Sequence, residues 1–151
     1  MKIFTKNLFW LEETIGGPFA GIVVGVIVFF INPEFESWKG LIKEFSSLGM
    51  CSFGFLLTLL AVILQGTSSA IQLMEKDVNL FNRFISYNKR IVVLSFTLSF
   101  YSYFLGNSTF LLKNYFHISE CYYVCIFAVS LTWFVHDAIH FINLFYLLIQ
   151  K

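Results

Sequence analysis

Four long apolar runs, at about 15–31, 45–64, 91–112 and 121–149, leave this chain few ways to fold. In hydrocarbon a backbone has no water to bond, so a spanning segment closes its own hydrogen bonds as an α-helix. Crossing takes roughly 20 residues. The first run is at the short end of that range. The last is interrupted only by one polar motif and is long enough to tilt or protrude. Of the 151 residues 13% are charged, against about a quarter in soluble domains, and mean hydropathy is +0.76. The expectation is one all-α integral membrane domain over 1–151, a bundle of four transmembrane helices. The first run follows Glu12 and Glu13, with no small-residue cleavage pattern behind it, so it is expected to be kept rather than removed as a signal peptide.

Lysine and arginine set the expected orientation. Lys2, Lys6, Lys76, Arg83, Lys89, Arg90 and Lys151 lie at the termini and in the central loop, and only Lys39, Lys43 and Lys113 lie in the other two loops. That imbalance places both termini and the central loop on the cytoplasmic side of the membrane. The first external loop then reads NPEFESWKG and the third KNYFHISE. A net charge of +1 provides no field for nucleic acid, so direct nucleic-acid binding by this chain is not expected.

The central loop, about 67–90, is patterned. Ile71, Met74, Val78, Phe81 and Ile85 recur at helical spacing, and Glu75, Lys76, Asp77, Asn79, Asn82 and Arg83 fill the other faces. This is an amphipathic helix, expected as a cytoplasmic extension between the second and third spans. Its stripe either packs on the protein's own bundle or on headgroups, or forms a docking surface. With Arg83, Lys89 and Arg90 it is the candidate contact for a soluble partner or anionic lipid. The N-terminal KIFTKNLFWL aligns Phe4, Leu8 and Leu11 and carries Trp10, which predicts a short helix along the inner leaflet.

Two features speak to assembly. Gly17, Gly21 and Gly25 are spaced by four in the first run, which leaves a groove that another helix can enter closely. With Cys125 they are the candidate interface, either within the chain or between subunits. Small residues also line the outer half of the second run (Ser46, Ser47, Gly49, Ser52, Gly54) and the third (Ser95, Thr97, Ser99, Ser102). Cys51, Cys121 and Cys125 form no C-x-x-C pair and read as small apolar side chains.

The stretch WFVHDAIHF in the last run carries the candidate chemistry. On a helix it is the middle of a small and polar stripe that includes Cys121, Cys125, Thr132, His136, His140, Asn143 and Gln150, with Asp137 on its flank. Such a stripe must face protein or water. The spans contain no lysine or arginine, so Asp137 is expected to pair with a histidine, be protonated, or meet water, with Tyr101, Ser102 and Tyr103 as donors. Histidines four apart resemble the zinc-binding half of H-E-x-x-H, but the acid is an aspartate and no other span supplies a third ligand. No metal or other cofactor is expected. Thr132, His136, Asp137, His140 and Asn143 are a polar seam or the lining of a pore. No phosphate-binding loop or nucleophile elbow is present, and the chain reads as non-enzymatic.

The order of elements carries a resemblance. SSLGMCSFGFLLTLLAVILQ runs into a polar helix, a third span rich in small and aromatic residues follows, and WFVHDAIHFINLFYLL closes the chain. In architecture and texture over most of its length the chain resembles the KwaA family, the membrane subunit of the bacterial Kiwa anti-phage defence system, and also the phage-exclusion membrane protein RexB. The first resemblance implies a homo-oligomer, a tetramer foremost, that senses infection-linked membrane perturbation and holds a soluble DNA-binding partner of the KwaB kind at the cytoplasmic face. The second implies an ion channel that depolarises the cell. A small transporter subunit is a third reading. Asp137 and the second histidine match neither family's pattern.

Overall fold

The computed structural model describes residues 2–32, 34–64, 78–115 and 120–149, with side chains for 15–32, 34–61, 81–107 and 121–146. Four helices make up the described chain: α1 (Lys2–Ile31), α2 (Phe35–Leu64), α3 (Val78–Tyr115) and α4 (Glu120–Ile149). All-α architecture is as expected; several boundaries are not.

α1 is one helix of 30 residues, so the N-terminal segment continues into the first span rather than forming a separate surface helix. It ends at Asn32, whose φ of 46° is the only positive value at a non-glycine among the described residues. In that conformation the Asn32 N–H donates to the carbonyls of Val28 (3.1 Å) and Phe29 (3.2 Å) and closes the helix end. Pro33 follows and cannot extend it. α2 then begins at Phe35, well before the expected 45. Most of the expected external loop is therefore its first turns, with Phe35 buried and Trp38 packed on the core.

α3 is the longest element, 38 residues or about 57 Å. It starts at Val78, so the amphipathic segment from Val78 onward belongs to α3 and runs into the third apolar run without a break. Residues 65–77, with Ile71 and Met74, lie outside the described residues. The buried line on α3 is Phe84, Asn88, Ile91, Ser95, Leu98, Ser102 and Leu105, each at most 1% exposed. Its alternating spacing of three and four is that of a helix gripped by neighbours.

α2 packs on α3, α3 on α4, and α1 on α4; α2 also reaches α4, while α1 has no comparable contact with α2 or α3 among the described residues. The four helices thus pack mainly in the order α1–α4–α3–α2, with α2 also reaching across to α4. Two apolar clusters hold them. One joins Leu56, Phe84, Tyr87, Ile91, Phe141 and Leu144. The other joins Val28, Phe35, Ile42, Leu98, Leu105, Val124, Phe127 and Ala128. Phe45 of α2 sits edge-on to both Phe127 (5.9 Å) and Phe134 (6.1 Å) of α4.

Two helices are long and apolar enough to cross a membrane, Phe35–Ala61 and Cys121–Tyr146, each with mean hydropathy 1.5; Ile15–Ile31 is apolar but shorter. A core helix of a water-soluble protein is mostly buried by its neighbours. Here 11% and 22% of the two apolar windows is buried, and Phe19, Phe30, Phe55 and Phe100 are each more than half exposed. Apolar surface on that scale needs a cover, and these features point to membrane association.

Candidate functional site

Asp137 is fully buried, an expensive place for a carboxylate unless it is paired. Its partner is Arg90 of α3, with Nη2 3.2 Å from Asp137 Oδ1. Trp133 Nε1, one turn back on α4, donates to Oδ2 at 3.2 Å. His136 Nδ1 lies 3.4 Å from Oδ1. The sequence offered a histidine, protonation or water as the partner of Asp137; the structure places His136 beside it and adds Arg90. Arg90 stands just outside the third apolar run, and the uninterrupted α3 places it level with Asp137 on the antiparallel α4. The sequence-expected donors do not serve: the Tyr101 hydroxyl donates to the Tyr123 carbonyl at 3.3 Å, Tyr103 faces outward, and the buried Ser102 hydroxyl has no partner among the described residues.

Aromatic and imidazole rings extend the cluster. The Arg90 guanidinium lies over the Tyr87 ring, 4.5 Å from its centre, a cation–π contact. His140 stacks on the same ring at 6.0 Å and lies 4.5 Å from the His136 ring. Below them Phe84 stacks on Phe141 at 4.7 Å. Tyr87–His140 and Arg90–Asp137 share one antiparallel register, since three residues down α3 match three up α4.

α1 closes the third side by coming unusually near. A Cβ built on Gly17 would lie 2.5 Å from Trp133 Cδ1 and 3.0 Å from Asp137 Oδ1; on Gly16 it would meet the His136 ring at 3.3 Å. A Cβ on Gly21 would strike the Val129 carbonyl oxygen at 2.7 Å, and one on Gly25 would overlap Val129 Cγ2. In the structure the face of Gly17, Gly21 and Gly25 is the contact of α1 with α4 of its own chain. Cys125 lies beside it, half-buried, with its sulfur 3.9 Å from that of Cys121.

The polar stripe of α4 does not act as one surface. Thr132 donates back to the Ala128 carbonyl at 2.8 Å, and Asn143 is exposed, away from Asp137. His136 and His140 belong to the cluster. Among the candidate contact residues, Phe81 packs against the core, Arg83 and Ile85 are half-buried, and Lys89 is exposed. Sequence reasoning missed Arg90 as the counter-ion, and also Trp133, Tyr87 and Gly16. The register hid them: α3 continues to Tyr115, about two turns past the level at which α4 begins.

Chemically the cluster is one cation and one anion with two imidazoles at its edge. The side chains of His136 and Arg90 remain 24% and 27% exposed, against 0% for Asp137. Among the described residues no three histidine, cysteine, aspartate or glutamate side chains converge as metal ligands. The arrangement is suited to clamping three helices, α1, α3 and α4, around one buried ion pair. No protein-family model, curated protein or solved structure matches this chain.

Proposed function

We propose that this chain is a non-enzymatic inner-membrane component of bacterial anti-phage defence. It assembles as a homo-oligomer, senses infection-linked disturbance of the membrane, and anchors a soluble DNA-binding partner at the cytoplasmic face. The observation that carries the reading is the continuity of α3: the helix that bears Arg83 and Lys89 also carries Arg90, which is clamped to Asp137. A partner held at Arg83 and Lys89 then lies within about two turns of the Arg90–Asp137 pair on one rigid helix. The lysine and arginine distribution supports cytoplasmic termini, and the outward-facing phenylalanines support a lipid surround. The defence role rests on the resemblance of the sequence to the KwaA family.

The test is charge reversal at Arg83 and Lys89, leaving Arg90 in its ion pair. Membrane fractionation should show the soluble partner released while the variant stays in the membrane. A partner that still co-sediments would remove this surface from the account.

A second reading, a gated pore that depolarises the cell, is favoured by the partly exposed His136 beside Asp137 and His140. In that case His136→Leu abolishes infection-triggered depolarisation without loss of assembly. Intact depolarisation in that variant argues against a pore.

A further inference from the structure

Four of the five fully buried polar side chains among the described residues lie on α3: Asn88, Ser95, Ser99 and Ser102. They share one line of the helix, which runs for about 21 Å at 1.5 Å per residue. Gly106, buried under the Lys43 side chain of α2, continues it. The middle of the line is pressed against α2. Ser99 donates to the Ser46 carbonyl at 2.5 Å, and a Cβ on Gly49 would lie 2.8 Å from Ser99 Cβ and 3.1 Å from the Ser95 carbonyl oxygen. Ser95 itself donates to the Val92 carbonyl.

At the two ends this satisfaction stops. Both amide atoms of Asn88 and the hydroxyl of Ser102 are buried and have no hydrogen-bond partner among the described residues. Close packing accounts for the serines and glycines, since small residues let helices approach. It does not account for an asparagine, which buries two N–H donors and a carbonyl. Buried polar groups of this kind are the usual hosts of internal water.

We infer that the α2–α3 seam is a binding site for water, hydrated at Asn88 towards one membrane face and at Ser102 towards the other. The Ser46–Ser99 contact closes it between them. This inference rests on the reading of α2 and α3 as membrane-crossing helices and is independent of the Arg90–Asp137 clasp.

Single cysteines test it in a full-length chain whose Cys51, Cys121 and Cys125 are replaced by alanine. Asn88→Cys, Ser102→Cys, Leu98→Cys and Phe100→Cys are compared in sealed vesicles for reaction with a charged, water-borne maleimide. Leu98 is buried between helices and Phe100 faces outward. Asn88→Cys and Ser102→Cys should react about tenfold or more faster than the other two, as thiol reactivity follows access to water. Equal protection at all four positions overturns the inference. Fast reaction at Phe100→Cys instead overturns the membrane placement of α3, on which the inference depends. Where a variant fails to assemble, hydroxyl-radical footprinting of the unaltered protein decides. Corrected for intrinsic reactivity, oxidation of Tyr87 and Ile91 beside Asn88 should exceed that of Val124 and Phe127, and no excess counts against bound water.

Discussion

Removing Arg90 should cost more than removing the charge it neutralises. Arg90→Met leaves a fully buried carboxylate with only the Trp133 N–H and the edge of His136 for company. Breaking a buried pair in this way costs about 3–5 kcal/mol when nothing else helps. The remaining donor and the partial exposure of Arg90 reduce that to about 2–3 kcal/mol. Asp137→Asn is milder. The amide keeps a carbonyl for Trp133, and the 27%-exposed Arg90 side chain retains water and the Tyr87 ring. Its cost is about 1 kcal/mol, an ordinary hydrogen-bond loss. The double variant strands no charge, so it should cost little more than Asp137→Asn alone. The coupling is then about 2 kcal/mol, roughly 30-fold in the folded-to-unfolded ratio. Reversible unfolding in bicelles, followed for all four proteins, measures it. Equal losses from both single changes, adding fully in the double, would refute the claim that Arg90 and Asp137 act as a pair.

Other expectations follow from the same contacts. Gly49→Ala should destabilise by about 1–3 kcal/mol through overpacking against Ser99 and the Ser95 carbonyl. Gly54→Ala, with nothing within 4 Å, should be neutral or stabilise by up to about 1 kcal/mol. Thermal denaturation in detergent compares the two. Gly21→Ala should loosen α1, since the new methyl meets the Val129 backbone and α1 packs closely on α4 alone; faster proteolysis between α1 and α2 reports it. Phe84→Ala should cost about 3–5 kcal/mol and Ile85→Ala much less, because Phe84 is fully buried on Phe141 and Ile85 only partly. Thr132→Val should change stability little, as its hydroxyl serves only its own helix.

Helix class and the approximate positions of the apolar runs were legible because run length and the lack of charge depend on composition alone. The glycine face was legible as a packing face, but its occupant was not, because glycine spacing carries no information about which helix fills the groove. Asp137 stood out as a group needing a partner. Arg90 did not stand out as that partner, because a cation one residue before an apolar run looks like the end of a loop. Only the continuous α3 and its offset against α4 bring the two together. The amphipathic stripe was placed through Val78, Phe81 and Ile85, whereas the buried line passes through Phe84, Asn88 and Ile91. Asparagine and serine at buried positions masked that line, since polar residues read as a solvent face. The serines of the second and third runs were seen as small residues, and their mutual contact became visible only from Gly49 against Ser99.

We propose that α3 crosses the membrane as one helix with Arg90 near its inner end. The sidedness of Lys89→Cys and Asn107→Cys, both at exposed positions on α3, tests it most directly in a chain without other cysteines. With an impermeant thiol reagent, Lys89→Cys should react only when the cytoplasmic face is open to it, and Asn107→Cys only from the opposite face. Reaction of both from the same side would contradict the account.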